Sequence, residues 1–157
     1  MASDAAPDDG GVAGALRAAG LTVTAPRYAL YRVLAGRERP ASAAEVFDLL
    51  RAQGSRLGLT SVHRVLHCFA AADIAHVFPG PPQRFRLCAR APHAHLVCEG
   101  CGRVIEQPAE AVRGWLAATR RDADFVARAE HCDVYGWCGR CWPEAGPPAV
   151  EGTVYRI

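Results

Sequence analysis

Two Cys-x-x-Cys pairs constrain this 157-residue chain more than any other feature of its sequence. The first pair is Cys98 and Cys101, and the second is Cys138 and Cys141. Four thiolates at such spacing are typical of a closed, tetrahedral zinc site that stabilises a fold. A redox function is the competing interpretation, but a redox pair usually opens a helix, and neither pair here stands before a helical pattern. The sequence therefore predicts a structural zinc site in the second half of the chain.

A second group of metal-binding residue types stands directly before the first cysteine pair. Cys88 is followed by His93 and His95, so that a thiolate and two imidazoles share one short segment. Each residue alone is compatible with a packing role, but the three together favour a mixed site for a fairly soft ion such as zinc. A mixed site beside a predicted domain boundary is a place where a protein can sense a metal.

Charge is distributed unevenly along the chain, which contains no Lys. Residues 1–10 carry three acids and no base, residues 11–90 carry eleven Arg against four acids, and residues 91–157 carry seven Arg against nine acids. The middle segment thus has a net charge of +7, between flanking segments of −3 and −2. This asymmetry predicts nucleic-acid binding by the first half of the chain, unless arginine serves there only to solvate the surface.

The ends and the hydropathy of the sequence predict a location. The first residues show neither the basic region nor the apolar region of a secretory signal, and no apolar run approaches the ~20 residues of a membrane span. Seven cysteines in such a sequence indicate reduced thiols and bound metal rather than disulfides. We therefore expect a cytoplasmic protein with no membrane partner.

The basic half of the chain predicts four helices followed by a two-stranded hairpin. The expected helices are Val12–Ala19, one capped by Thr24, one opened by the capping box Ser42–Glu45, and one capped by Thr60 that runs to about Ala72. The expected strands are 74–78 and 84–88, joined by a Pro- and Gly-rich turn. Two helices with a tight turn and a following hairpin are typical of a winged helix-turn-helix. A helical bundle that never contacts DNA is the alternative, and the charge asymmetry disfavours it.

The fourth helix is the expected recognition helix. Its apolar stripe of Val62, Leu66 and Phe69 leaves the polar residues of its first turns facing outward. In a major groove, such residues reach base edges while arginines contact phosphates. The expected DNA-contacting residues are Arg27, Thr60, Ser61, His63 and Arg64.

The second half predicts a small zinc-held αβ unit. The expected elements are a hairpin of 95–98 and 103–107, a helix over 109–121 and a strand over 124–135 that leads to the second cysteine pair. The segment from Pro143 onward is expected to be irregular. The chain as a whole is therefore expected to be α+β.

Four motifs resemble those of a known family. They are Leu21–Arg27, Gly58–Leu66, His93–Glu106 and Tyr135–Cys141, in this order along the chain. They resemble the ferric uptake regulator family of bacterial metal-responsive repressors, and within it the zinc uptake regulators. The resemblance implies a zinc-loaded homodimer that binds double-stranded operator DNA and represses zinc-uptake genes. It implies no catalytic function and no small-molecule substrate.

The resemblance also assigns metal ligands and domains. It implies a structural zinc at the four cysteines of the two pairs and a regulatory zinc at His76, Cys88, His93 and His95, about two Zn²⁺ per chain. One thiolate and three imidazoles suit zinc better than iron, and Glu106 is a substitute if His76 is not a ligand. The expected domains are an acidic disordered N-terminus (1–10), a winged-helix DNA-binding domain (11–88), a hinge (89–92), a dimerisation and metal-binding domain (93–142) and a tail (143–157).

The chain departs from the family at a further metal site. The ligands of that site are replaced by Pro92, Ala94, Arg113 and Glu130, although Glu110 and His131 stand nearby. We expect no third metal. No function is assigned to His67, Cys68 or Cys132, and the two cysteines are expected to pack.

Three alternatives remain open from the sequence. An iron- or peroxide-responsive regulator of the same family is the first. A zinc-dependent enzyme with Glu106 as general base is the second, although no hydrolase or deaminase motif is present. A structural-zinc interaction module that does not bind DNA is the third.

Overall fold

Helices and two small sheets build an α+β fold. The computed structural model describes residues 9–88, 93–108, 110, 113–114, 117 and 131–142. The chain divides into two compact units, Met1–Ala91 and Pro92–Ile157, and each is described by itself. Asp9 and Gly10, the described residues of the segment predicted to be disordered, are helical. The rest of that segment, the hinge and the tail lie outside the described residues, as do most of the predicted helix 109–121 and residues 124–130 of the predicted strand. Among the described residues, no helix combines the length and hydropathy that a bilayer span requires.

The first unit contains four helices and a three-stranded antiparallel sheet. The helices are α1 (Asp9–Ala18), α2 (Ala25–Leu34), α3 (Ala43–Ala52) and α4 (Leu59–Ala71). The strands are β1 (Ala41–Ser42), β2 (Ala75–Phe78) and β3 (Arg84–Leu87), in the order β1-β3-β2. The hairpin of β2 and β3 is the predicted wing. Strand β1 was not predicted, because two residues are too few for an alternating pattern to show.

The capping box before α3 is confirmed. The backbone N–H of Glu45 donates to Ser42 Oγ at 3.2 Å, and the backbone N–H of Ser42 donates to Glu45 Oε2 at 2.7 Å. Arg84 on β3 adds a hydrogen bond from Nη1 to Glu45 Oε2 at 2.8 Å. The start of α3 is thereby tied to the wing.

The cap predicted for α4 is wrong by two residues. Gly58 is the N-cap, and its carbonyl accepts from the backbone N–H of Ser61 at 3.0 Å and of Val62 at 3.1 Å. Thr60 therefore lies inside the first turn, where its side chain does not cap the helix. Thr24 does occupy the N-cap position of α2, but its side chain makes no capping hydrogen bond.

The core of the first unit lies where the helices meet the sheet. The predicted stripe of α4, Val62, Leu66 and Phe69, is fully buried. It packs in one apolar cluster with residues from the other helices and with Phe85 of the wing. Because α4 buries this stripe, its opposite face is left to solvent, as the sequence predicts.

The second unit contains a three-stranded sheet of mixed direction. Its strands are β4 (His93–Cys98), β5 (Val104–Pro108) and β6 (His131–Gly136), in the order β5-β4-β6. Strand β5 runs antiparallel to β4, as expected for a hairpin, whereas β6 runs parallel to β4. A parallel pair needs a crossover connection, and residues 109–130 provide that length. Residues 110, 113–114 and 117 in this connection are helical.

Candidate metal centres and DNA-facing helix

The four paired cysteines converge at one end of the second sheet. Cys98 ends β4, Cys101 lies in the turn to β5, and the residues after β6 bring Cys138 and Cys141 to the same place. Their four Sγ atoms all lie within 4.8 Å of one another. All seven cysteines of the chain are among the described residues, and none of them is in a disulfide.

The spacing of these sulfurs suits a zinc ion. Two thiolates on one tetrahedral zinc, each with a Zn–S bond of about 2.3 Å, stand about 3.8 Å apart. The Sγ atoms of Cys101 and Cys138 are 3.9 Å apart. The donor chemistry and the separation therefore both fit a structural zinc site.

Hydrogen bonds in the turns favour the thiolate form of Cys98. Burial raises the pKa of Cys98, but backbone N–H groups of Cys138 and Cys101 outweigh this effect and lower the pKa to about 6. The Cys138 N–H lies 3.2 Å from Cys98 Sγ. In contrast, hydrogen bonding with Cys138 raises the pKa of Cys141 to about 12. Four sulfurs this close lose all of their protons only when a cation neutralises them.

Gly100 is required by the close approach of the two cysteine turns. A Cβ at this position would lie 2.8 Å from Cys141 Cβ and 3.0 Å from Cys141 Sγ. Both distances are shorter than van der Waals contact allows. The sequence Cys98-Glu-Gly-Cys101 thus leaves room for the second pair because its third residue has no side chain.

A second group of ligand types lies on one face of the same sheet. Strand alternation places His93 and His95 on that face, and the pairing register sets Glu106 of β5 and Asp133 of β6 on either side of His95. Both histidines are buried, with 5% and 0% of their surface exposed. The ligand atoms of His93, His95 and Glu106 lie within 4.8 Å of one another.

The two imidazoles face each other through Nε2. The Nε2 atoms of His93 and His95 are 2.9 Å apart, whereas two nitrogen ligands of a tetrahedral zinc stand about 3.3 Å apart. A small separation of the rings is enough to fit the ion. The Nδ1 atom of His95 is 2.8 Å from Asp133 Oδ1.

Asp133 was not predicted as a site residue. It falls within the predicted strand 124–135, but its position beside His95 follows from the parallel pairing of β6 with β4. Nothing in the local sequence indicates that pairing, since β4 and β6 are separated by the whole crossover. Glu106, expected only as a substitute ligand, does lie with the two histidines.

The other two predicted sensory ligands lie on the wing of the first unit. His76 is in β2, and Cys88 directly follows β3. The Cys88 N–H donates to the Ile74 carbonyl at 3.2 Å, which extends the pairing of β2 and β3 by one residue pair. Because side chains alternate along a strand, His76 and Cys88 lie on the same face of this sheet. Arg86 donates from Nη1 to Cys88 Sγ at 3.8 Å. The four predicted ligands thus divide evenly between the two units.

The predicted DNA-contacting residues of α4 are all exposed. Thr60, Ser61, His63 and Arg64 lie on the face opposite the buried stripe. His67 is also exposed, and its ring stacks on that of His63 at a centroid distance of 6.5 Å. This exposed polar face is available to contact another molecule.

Arg27 makes two hydrogen bonds, one to the segment before α2 and one to α4. It donates from Nη1 to the Thr22 carbonyl at 2.8 Å and from Nη2 to Cys68 Sγ at 3.5 Å. Cys68, which the sequence left without a function, thus helps to hold a candidate phosphate contact. Arg27, Ser61 and Arg64 together line an open groove of about 480 Å³ at the start of α4.

A family model and two named proteins match most of this chain. The model of the ferric uptake regulator family matches residues 18–135. The chain is 36% identical over 129 residues to the ferric uptake regulation protein of Legionella pneumophila, covering 80% of this chain and 95% of that one. It is 33% identical over 129 residues to the zinc uptake regulation protein of Mycobacterium tuberculosis, covering 80% of this chain and 98% of that one.

A solved relative shares the fold. The crystal structure of the Vibrio cholerae ferric uptake regulator superposes on this chain with a TM-score of 0.59 at 32% sequence identity. That structure reveals a rearrangement of the DNA-binding domains of the Vibrio cholerae protein. The matched region covers 80% of this chain and 98% of the Vibrio cholerae chain. On these matches, the chain belongs to the ferric uptake regulator family, whose members are metal-responsive transcription regulators and not enzymes.

Proposed function

We propose that this chain is a zinc-responsive repressor that binds operator DNA as a zinc-loaded homodimer and represses zinc-uptake genes. The observation that carries the proposal is the soft donor set. Two buried imidazoles face each other at 2.9 Å, and the wing carries a thiol at Cys88, a residue type that favours zinc over iron. Such a regulator acts in the cytoplasm, where the bacterial chromosome lies.

The regulatory zinc is proposed to bind His76, Cys88, His93 and His95. When bound, zinc supplies four tetrahedral bonds and no redox chemistry. Two of these ligands precede the division of the chain at Ala91 and two follow it. Binding at all four therefore restricts the arrangements that the two units can adopt, which selects one state of the dimer from a wider set.

The structural zinc is proposed to bind the four paired cysteines. These residues come from the β4–β5 turn and from the segment after β6, so one ion fastens these two segments together at one end of the second sheet. In small domains this kind of bond contributes to folding directly. The proposed content is therefore two zinc ions per chain, one structural and one regulatory.

The first unit is proposed to read DNA through α4. In this proposal the N-terminal half of α4 lies in the major groove, where Thr60, Ser61, His63 and Arg64 contact base edges. Arg27 contacts a phosphate from the neighbouring helix. Two such helices in a dimer, about 34 Å apart, match two half-sites one helical turn apart.

The second unit is proposed to form the homodimer. Two large apolar side chains of β6, Val134 and Tyr135, are 47% and 48% exposed. Strand β6 pairs with β4 on one side, and among the described residues no strand pairs with its other side. An edge strand with exposed apolar residues is a surface on which a second copy can pack.

A second candidate is an iron-responsive regulator of the same family. Glu106 lies with His93 and His95, and carboxylates are ligands that suit iron and manganese. Two of the three relatives described above are ferric uptake regulators. The two candidates differ in which metal activates DNA binding.

A comparison of metals tests the proposed function. Metal-depleted protein that retains its structural zinc is loaded with Zn²⁺, or anaerobically with Fe²⁺ or Mn²⁺, and mixed with duplexes selected from the source genome. We expect Zn²⁺ to activate DNA binding at the lowest free metal concentration. Activation by Fe²⁺ at a lower free concentration than Zn²⁺ would establish the second candidate. No metal-dependent binding to any duplex would contradict both.

A further inference from the structure

His95 is the most buried polar side chain of the proposed regulatory site, which is called the second site below. It is fully buried, and each of its ring nitrogens has a neighbour at hydrogen-bond distance. Nδ1 is 2.8 Å from Asp133 Oδ1, and Nε2 is 2.9 Å from His93 Nε2. A buried imidazole with a carboxylate on one nitrogen and a candidate metal position at the other has the arrangement of an oriented metal ligand.

The carboxylate determines which nitrogen carries the proton. An ionised carboxylate only accepts hydrogen bonds, so a short contact with Asp133 requires the proton on His95 Nδ1. The lone pair of the neutral ring is then on Nε2, which faces His93. In the metal-free protein, His93 Nε2 can donate its proton to that lone pair, and a metal ion can replace the proton.

The sheet fixes Asp133 in this position. His95 and Asp133 are directly paired in the parallel ladder of β4 and β6, so their side chains leave the sheet on the same face. The carboxylate is only 18% exposed. Groups on paired strands hold a geometry more tightly than groups on loops, and a hydrogen bond between them is therefore a lasting restraint on the ring.

We propose that Asp133 is a positioning residue of the regulatory site, which holds His95 with Nδ1 protonated and Nε2 directed to the metal. This inference rests on the proposed function, because it assumes that His95 is a ligand. Loss of such a partner typically weakens metal affinity by about 10- to 100-fold. Asp133 does not itself bind the ion in this account.

The test compares two substitutions of Asp133 in the full-length protein. Asp133→Ala removes both the hydrogen bond and the charge. Asp133→Asn keeps an oxygen that can accept from Nδ1–H but removes the charge. Asp48→Ala is the matched control, because it removes an exposed carboxylate of α3 in the other unit.

Zinc affinity of the second site is measured by competition with a chelator while the structural zinc stays bound. We expect Asp133→Ala to lose about 10- to 100-fold in affinity, Asp133→Asn to lose less, and Asp48→Ala to match the wild type. Wild-type affinity in Asp133→Ala would overturn the inference. If Asp133→Ala does not fold, the Asn variant and the two spectroscopic measurements below decide.

Two spectra separate positioning from other functions of Asp133. Heteronuclear NMR of metal-free wild type should show the Nδ1-protonated form of His95, and an Nε2-protonated or doubly protonated ring would contradict the inference. Cobalt bound at the second site should give the same visible bands in wild type and Asp133→Asn. A changed band pattern would make Asp133 a ligand and would overturn the positioning function.

The two proposals fail in different ways. If wild-type protein binds one zinc and no more, the regulatory site and the proposed function fail before any variant is measured. If wild type binds two zinc ions and requires the second for DNA binding, while Asp133→Ala binds zinc equally well, the proposed function stands and the inference about Asp133 fails.

Discussion

At the scale of single residues, the expected metal chemistry of this chain lies mainly in cysteine and histidine side chains, which can be recognised directly in the sequence. The four paired cysteines were predicted from spacing alone, and the structure brings their sulfurs within 4.8 Å of one another. Asp133 could not be predicted in the same way. Its importance comes from a partner 38 residues away, and that contact exists only because β6 pairs in parallel with β4.

Gly100 offers a test of the structural site at this scale. We expect Gly100→Ala to weaken zinc binding at the four cysteines, because the new methyl group meets Cys141 Cβ at 2.8 Å. Overpacking of this kind costs about 1–3 kcal/mol. The measurement is the midpoint of thermal unfolding together with the rate of zinc release to a chelator.

Gly139→Ala is the matched control for this substitution. A Cβ at position 139 meets nothing within 4 Å, and the position belongs to the other cysteine turn, between Cys138 and Cys141. We expect the control to unfold and release zinc like the wild type. Equal behaviour of the two variants would mean that the cysteine turns do not approach each other as described.

Cys88 offers a test of the regulatory site. We expect Cys88→Ser to keep its fold and the structural zinc but to lose the second zinc and zinc-dependent DNA binding, because serine does not supply the thiolate. Bound zinc should fall from about two to about one per chain. Cys132→Ser, a thiol with no proposed ligand function, is the control. If Cys88→Ser binds DNA in the presence of zinc as well as the wild type does, Cys88 is not a ligand.

At the scale of secondary structure, local signals predicted most of the elements and missed those that depend on distant pairing. The capping box of Ser42 and Glu45 and the apolar stripe of α4 are confirmed, since both depend only on residues a few positions apart. The start of α4 was misplaced because Thr60 is a better capping residue by type than Gly58. Strand β1 exists only through its pairing with β3, which no local pattern shows.

The exposed face of α4 offers a test at the scale of the element. We expect Arg64→Ala to weaken DNA binding, because one phosphate or base contact is lost. The slope of log affinity against log salt concentration should decrease in magnitude by about one. Arg51→Ala removes the same charge from the end of α3 and should change both quantities less. The measurement is the dissociation constant over a range of salt concentrations, and equal effects of the two variants would argue against α4 as the recognition helix.

At the scale of the whole molecule, the proposed function joins a DNA-reading unit to a metal-binding unit in one short chain. The charge asymmetry of the sequence predicts that the first half reads DNA, because the positive charge is concentrated before residue 91, and the proposed function keeps this assignment. The choice of metal is the part of the function that neither local sequence nor fold determines. Relatives named for iron and for zinc both match this chain over 129 residues, so we expect a few ligand atoms to select the metal.

The most direct test of the central claim is a zinc titration of DNA binding with bound zinc counted in the same samples. The account predicts that DNA affinity stays low while the protein holds about one zinc per chain and rises as the second ion binds. Full DNA affinity at one zinc per chain would contradict it, because the second site would then have no effect on the contact between this protein and DNA.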